Sequence, residues 1–145
     1  MKTVRVPDSM QALFAKAEDV VARFFQDRID DPAHGTIQIH DERYVLLRGA
    51  ALSVEFFDLV RSLYGERAAE ADEFSRAILF DLAHSVGRSD AKNFHDKMQL
   101  SDPIARLSAG PVHFAHAGWA SVDISAESNP TSDDEFFLVY DHPYS

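Results

Sequence analysis

The feature that most constrains the fold is a change of hydrophobic period along the chain. From Ser9 to Ile29 apolar residues recur every three or four positions, which predicts an amphipathic helix. From Thr36 to Ile39 and from Tyr44 to Leu47 the residues are β-branched or alternate, which predicts the two strands of a hairpin. Between the predicted helix and the predicted hairpin, residues 30–35 contain a proline and a glycine, which predict a break in regular structure.

Both periods recur later in the chain. A central block has helical spacing and a final part alternates, so the sequence as a whole predicts an α+β fold with an early β-hairpin, a central helical block and late antiparallel strands. The predicted helices are Ala50 to Tyr64 ending at Gly65, Glu66 to Val86 ending at Gly87, Ser89 to about Gln99, and one that starts at Ser101-Asp102-Pro103. The predicted late strands are Trp119 to Ile124 and Glu135 to Tyr140.

Composition narrows the classes of protein. At 145 residues the chain has the length of one domain. A formal charge of −10 repels nucleic-acid phosphates, so we expect no direct nucleic-acid contact. The chain has neither an apolar run of the ~18 residues that a membrane span needs nor a secretory leader at its start, so a cytoplasmic location without a membrane partner is expected. Cysteine is absent, which excludes disulfides, thiol catalysis and thiolate zinc sites.

No motif predicts an enzyme. Ser85 and Ser89 lie near His84 in sequence, but the glycine-flanked elbow of a serine hydrolase is missing. The stretch from Gly87 to Asp90 has one glycine and no lysine, so it is not a phosphate loop, and a helix stop followed by a helix cap explains it. We expect neither catalytic residues nor a cofactor.

The stretch "AGPVHFAHAGW", residues 109–119, holds a candidate metal-binding pair. His113 and His116 stand one helical turn apart, but zinc needs three or four ligands, and the nearest further candidate is His142. The proline and glycines of the stretch predict a poor rigid scaffold for ligands. We therefore expect no metal site here and two partly buried, hydrogen-bonded imidazoles instead.

Two phenylalanine pairs, Phe24-Phe25 and Phe56-Phe57, are most simply core residues. The rings of each pair point about 100° apart on a helix, so one ring of each is also able to face a partner surface. The break after the first helix separates it from the rest of the chain. We therefore predict that residues 1–34 form an N-terminal helical element through which the protein makes a homodimer.

Several short segments, in order, resemble the amino-terminal sensory domain of the activators of aromatic catabolism, the xylene- and phenol-responsive regulators. The resemblance spans about Gly35 to Tyr140, and its specificity lies in the order and spacing of the segments. It implies that residues 35–145 form a sensory (effector-binding) domain that is incomplete at its C-terminus. It also implies that the parent chain continues beyond Ser145 with a four-vinyl-reductase-type zinc segment, which completes the effector-binding domain. The segments are Gly35 to Ile39 with Arg43 to Leu47, Glu66-Arg67-Ala68, Gly87 to Ala91, and Ala109-Gly110-Pro111.

The resemblance also implies where an effector binds. The phenol sensors have a hydrogen-bonding histidine three residues after Ala-Gly-Pro, a position that falls on Phe114 here, one residue after His113. An aromatic residue before that motif falls at Leu107. The tryptophan of a late strand falls near Leu138, and its neighbour in the pocket falls near Phe136. With His116, Trp119 and Tyr140, these residues form the predicted ligand-binding set.

The expected function is signal input. The domain is expected to bind a small apolar or aromatic effector and to control an attached output module in a bacterial regulatory or signal-transduction protein, such as a regulator of transcription. Such binding requires an apolar pocket with one or two polar groups. The alternative is a dimerisation or scaffold module with a filled core and no ligand. A cavity near Phe114 and Tyr140 favours the first reading, and a close-packed interior there favours the second.

Overall fold

The computed structural model describes residues 3–129 and 137–144, and it confirms the mixed α+β fold. Contacts group Met1–Tyr44 with Ala91–Ser145 into a first compact unit and make Val45–Asp90 a second one. The elements, in chain order, are a 3₁₀ turn Asp8–Met10, α1 (Gln11–Gln26), β1 (Arg28–Asp31), β2 (Thr36–Ile39), β3 (Glu42–Tyr44), a π-helical stretch Ala51–Glu55, α2 (Phe56–Tyr64), α3 (Ala68–Asp96), α4 (Pro103–His116), β4 (Ser121–Ile124) and β5 (Tyr140–Tyr144).

The core of the first unit forms where α1 packs along α4. The apolar stripe of α1 is fully buried at helical spacing, and α4 contributes Ala109 and Val112 to the same core. This stripe therefore has its partner within the chain. A dimer interface on α1 needs another face of the helix, and dimerisation through α1 stays a prediction, as does the division of the chain at residues 34 and 35. The stripe consists of Phe14, Ala17, Val21 and Phe24.

The early sheet has three antiparallel strands in the order β1-β2-β3. The predicted hairpin corresponds to β2 and β3, although β3 ends at Tyr44 and residues 45–47 are not in a strand. The first strand was not predicted, because residues 28 and 29 were assigned to the end of the first helix. β1 is a mostly exposed edge strand with three charged residues in four, so it lacks the hydrophobic alternation by which a strand is recognised.

The central helices confirm one predicted helix end and correct another. Gly65 ends α2 with φ +59°, and its N–H donates to the carbonyl of Arg61 at 3.1 Å. The predicted stop at Gly87 is wrong, because α3 runs through it without interruption to Asp96. A glycine ends a helix when it adopts a left-handed backbone, and Gly87 does not. Inside a helix it costs only about 1 kcal/mol relative to alanine, which a long helix tolerates.

The late strands pair antiparallel, as predicted, but the second lies further along the chain. The structure places β5 at Tyr140–Tyr144 and not at residues 135–140; of that predicted strand, Glu135 and Phe136 lie outside the described residues. Hydrogen bonds to the preceding loop explain the shift. The N–H of Val139 donates to Ser128 Oγ at 2.8 Å, and its carbonyl accepts from the N–H of Ser125 at 2.8 Å.

Candidate functional site

Most residues of the stretch 109–119 lie in helix α4, which holds their side chains in fixed directions. Asp102 caps its start by accepting a hydrogen bond from the N–H of Ala105 at 2.8 Å, with Pro103 in the first turn, as predicted. The helix continues through Gly110 and the buried Pro111 to His116, so the expectation of a poor scaffold is wrong. Proline removes one helical hydrogen bond, but burial of the ring and of its neighbours holds this turn in place.

The end of α4 is fixed by a glycine. Gly118 has φ +79°, and its N–H donates to the carbonyl of Ala115 at 3.2 Å. The N–H of Trp119 reaches back to the carbonyl of Phe114 at 2.9 Å. These two bonds form a Schellman motif, which satisfies carbonyls that a helix end otherwise leaves open. Both histidines of the stretch therefore lie in the last, well-fixed turns of a helix.

His113 lies inside a cage of aromatic rings. Its ring centroid is 5.0 Å from that of Phe94, 5.2 Å from Phe25 and 6.5 Å from Phe24. The residue is only 3% exposed. Burial, with a smaller contribution from the neighbouring His116, lowers the pKa of His113 to about 4. The imidazole is therefore neutral near pH 7.

His116 and His40 lie at the edges of the same group of rings. His116 stacks on Phe25 with 5.3 Å between centroids and 15° between planes, and its Nε2 is buried without a hydrogen-bond partner among the described residues. His40 lies 4.8 Å from Phe24, and its Nε2 is 3.2 Å from Asp27 Oδ2. We call this group the aromatic cluster; it consists of Phe24, Phe25, His40, Phe94, His113 and His116.

The rings of the aromatic cluster pack on one another through apolar and π contacts and hold α4 against α1, and His116 Nε2 is a buried polar atom among them. Among residues 3–129 and 137–144, no group of three or more histidine, aspartate or glutamate side chains is arranged to hold a metal ion. The two histidines of α4 alone do not complete a zinc site.

A second face of α4 carries the two positions at which the resemblance placed the phenol sensors' aromatic and histidine. Leu107 and Phe114 are seven residues apart, so they point in the same direction, and both are half-buried. Gly110 lies between them, and a Cβ at this glycine meets no atom within 4 Å. No other part of the described chain therefore covers this face of α4 directly beside Gly110. His113 points about 100° away from it, into the aromatic cluster.

The structure brings only part of the predicted ligand-binding set together. His113 and His116 share the ring of Phe25, and Leu107 and Phe114 share the adjacent face of α4. Trp119 follows the helix and is 47% exposed. Among the late residues, Leu138 packs against the core, and Phe136 lies outside the described residues. Tyr140 is 43% exposed, and its partial burial raises the pKa of its hydroxyl group.

Sequence reasoning did not assign Phe25, Phe94 or His40 to the site. Phe25 was recognised as a core or interface ring, but α1 carries no signal that its ring meets α4. Phe94 belonged to the predicted short helix from Ser89 to about Gln99, to which no functional role was given, and His40 belonged to the predicted hairpin turn. One feature of the sequence could have indicated the contact between α1 and α4. Each helix has an apolar stripe that needs a partner to be buried, and the two stripes can pair.

A comparison with protein families gives the class of the domain. Residues 28–129, more than two thirds of the chain, match the amino-terminal domain of the family described as "Activator of aromatic catabolism". The chain belongs to this family, which confirms the resemblance read from its short motifs. It is a family of regulatory sensor domains and not of enzymes. No curated protein and no solved structure matches the chain.

Proposed function

We propose that this domain binds a small, mostly apolar aromatic effector and that this binding controls an attached output module. Membership of the family over residues 28–129 is the observation that supports this proposal. None of the helices among the described residues is long and apolar enough to cross a membrane. A cytoplasmic regulator that meets effectors after they enter the cell accords with that finding.

The proposed binding wall is the face of α4 that carries Leu107, Gly110 and Phe114. Two half-buried apolar side chains flank a glycine with open space beside it, which suits a flat apolar ring. Trp119 lies at the end of this helix, and Leu138 and Tyr140 belong to the late segment of the same unit. The aromatic cluster behind the wall keeps α4 in position.

The alternative function is a dimerisation or scaffold module without a ligand. One observation favours it: the side of α4 that carries His113 is already packed by the chain's own rings, Phe24, Phe25 and Phe94. Because of that packing, only the neighbouring face of α4 is left for an effector. The two functions therefore differ in what a side chain added at Gly110 does to effector binding.

Replacing Gly110 by alanine separates the two functions. The added methyl group meets no atom in the structure, so the variant should be more stable by about 1 kcal/mol because alanine favours a helix. If Gly110 lines the effector pocket, calorimetric titration with toluene should show affinity lower by roughly tenfold, since the methyl group takes the space of the ligand.

Gly87→Ala is the matched control. Gly87 also lies inside a helix, and a Cβ there also meets no atom within 4 Å. The Gly87→Ala variant should gain the same free energy of unfolding, measured in urea, as Gly110→Ala. It should bind toluene with the same affinity as the unmodified protein. Unchanged toluene affinity in Gly110→Ala would remove this face of α4 from the binding site.

A further inference from the structure

Arg106 of α4 differs from most of the arginines that the structure describes. Six of them have a guanidinium nitrogen within 3.6 Å of a carboxylate oxygen, and Arg106 is not one of the six. Arg106 is half-buried, and its Nε is buried without a hydrogen-bond partner among the described residues. The six paired residues are Arg5, Arg23, Arg28, Arg48, Arg61 and Arg67.

An unpaired guanidinium N–H in a buried place lowers stability. A buried donor on a charged group loses its hydrogen bonds to water, and the fold regains that free energy only if a partner takes the place of the water. Carboxylates are plentiful, since the chain has 24 acidic and 14 basic side chains. In native proteins a buried polar group without a partner calls for a specific explanation, and a bound anion is one.

The position of Arg106 on α4 connects it with the proposed binding wall. Arg106, Gly110 and Phe114 follow each other at intervals of four residues, so they form one row along the helix. A cationic residue therefore lies at one end of the row and an aromatic residue at the other. Between them is the glycine at which an added Cβ meets no atom within 4 Å. Leu107 lies beside this row, on the same side as Phe114.

We propose that the effector is an aromatic carboxylate whose ring lies over Gly110 and whose carboxylate accepts hydrogen bonds from Arg106. A guanidinium presents its N–H donors in a planar fork that fits the two oxygens of a carboxylate. Because Nε is already shielded from solvent in the fold, this N–H loses no water when the ligand binds. The inference rests on the proposed function, since it uses the same wall of α4 and names the polar group of the effector.

A carboxylate fits this arrangement better than a hydroxyl group does. Arginine has donors but no acceptor, so a phenol that accepts from Arg106 still has its own O–H unpaired. An ionised carboxylate only accepts hydrogen bonds. Hydrogen bonds between charged groups are also roughly twice as strong as those between neutral groups. An aromatic acid is therefore expected to bind more tightly than phenol or toluene.

Calorimetric titration with benzoate, toluene and acetate tests the proposal. Benzoate has a ring and a carboxylate, toluene has only the ring, and acetate has only the carboxylate. Benzoate should bind roughly tenfold to a hundredfold more tightly than toluene, which is the gain expected from hydrogen bonds to a charged group. Acetate should show no saturable binding, because it makes no contact with the wall.

Arg106→Met removes the guanidinium and keeps an unbranched side chain. Its affinity for benzoate should fall by roughly tenfold or more, to about that of toluene, while its affinity for toluene should stay the same. Arg88→Met is the matched control, because Arg88 is exposed on α3 and its loss changes the net charge equally. This control should bind benzoate with the affinity of the unmodified protein.

Circular dichroism checks that the variants keep their helices. If Arg106→Met does not fold, Arg106→Lys takes its place. Lysine keeps the charge but lacks the planar fork, so benzoate should still bind more weakly than to the unmodified protein.

Three results overturn the proposal: benzoate binds no more tightly than toluene, acetate binds as tightly as benzoate, or the Arg106 variant binds benzoate as the unmodified protein does. Saturable binding of toluene together with any of these results leaves the proposed sensing function standing. No saturable binding of either benzoate or toluene contradicts both proposals. Binding of benzoate alone, lost in Arg106→Met, supports Arg106 as the anchor and contradicts the binding of purely apolar effectors.

Discussion

Phe24→Ala should lower the free energy of unfolding by about 3–5 kcal/mol, because a buried ring is lost and a cavity remains. Phe24 is only 4% exposed, and its ring contacts Phe25, His40 and His113. A domain of this size has a total stability of roughly 5–15 kcal/mol, so the variant should retain a small part of it. Urea unfolding followed by circular dichroism measures the difference.

Phe80→Ala is the control for this loss. It removes the same side chain from a position that is 71% exposed, and the unfolding free energy should change by about 0.5 kcal/mol or less. Equal losses in the two variants would contradict the placement of α1 against α4. The sequence predicted Phe24 and Phe25 to be most simply core residues, with one ring of the pair able to face a partner surface. The structure places Phe24 in the core, so its replacement is expected to destabilise the chain itself.

Acid should destabilise the protein through His113. Its pKa falls from 6.5 in the unfolded chain to about 4 in the fold, so folding excludes the proton. The contribution of the neutral imidazole is fully present above pH 6.5 and is lost as the pH falls towards 4, where the loss reaches about 3 kcal/mol at ~1.4 kcal/mol per pH unit. The free energy of unfolding measured in urea at several pH values gives this slope.

His113→Leu should remove this slope, because leucine fills a similar space and takes up no proton. The difference between the unmodified protein and this variant isolates His113 from the carboxylates that titrate in the same range. Val112→Ala, one residue earlier on α4 and also fully buried, should lower stability by a similar amount at every pH. An unchanged slope in His113→Leu would show that the imidazole is not held neutral in the aromatic cluster.

The sequence predicted the elements whose local signals agree with their packing. α1, the β2–β3 hairpin, the end of α2 at Gly65 and the cap of α4 at Asp102 each have a hydrophobic period or a turn residue that marks them. β1 was missed because a polar edge strand has no such period, and α3 was divided because a glycine that ends a helix and a glycine within one look alike in sequence.

The candidate site was predictable only in part, because its geometry depends on contacts between distant segments. The histidine pair and the stretch around Ala109-Gly110-Pro111 were recognised from the sequence alone. That Phe25 of α1 and Phe94 of α3 enclose His113 depends on how the helices pack, and no local pattern contains that information. The stretch was also expected to be a poor rigid scaffold because of its proline and glycines, whereas burial of Pro111 and its neighbours keeps it helical.

The most direct test of the sensing function is calorimetric titration of the protein with toluene and with phenol. The resemblance to the phenol sensors places the position of their histidine on Phe114, and His113 points elsewhere, into the aromatic cluster. A hydroxyl buried without a partner costs about 1–3 kcal/mol, enough to weaken binding roughly tenfold. We therefore predict saturable binding of toluene that is at least as tight as that of phenol. Phenol binding tenfold tighter than toluene would contradict the loss of the polar anchor, and no saturable binding of either compound would contradict the proposed binding of apolar aromatic effectors.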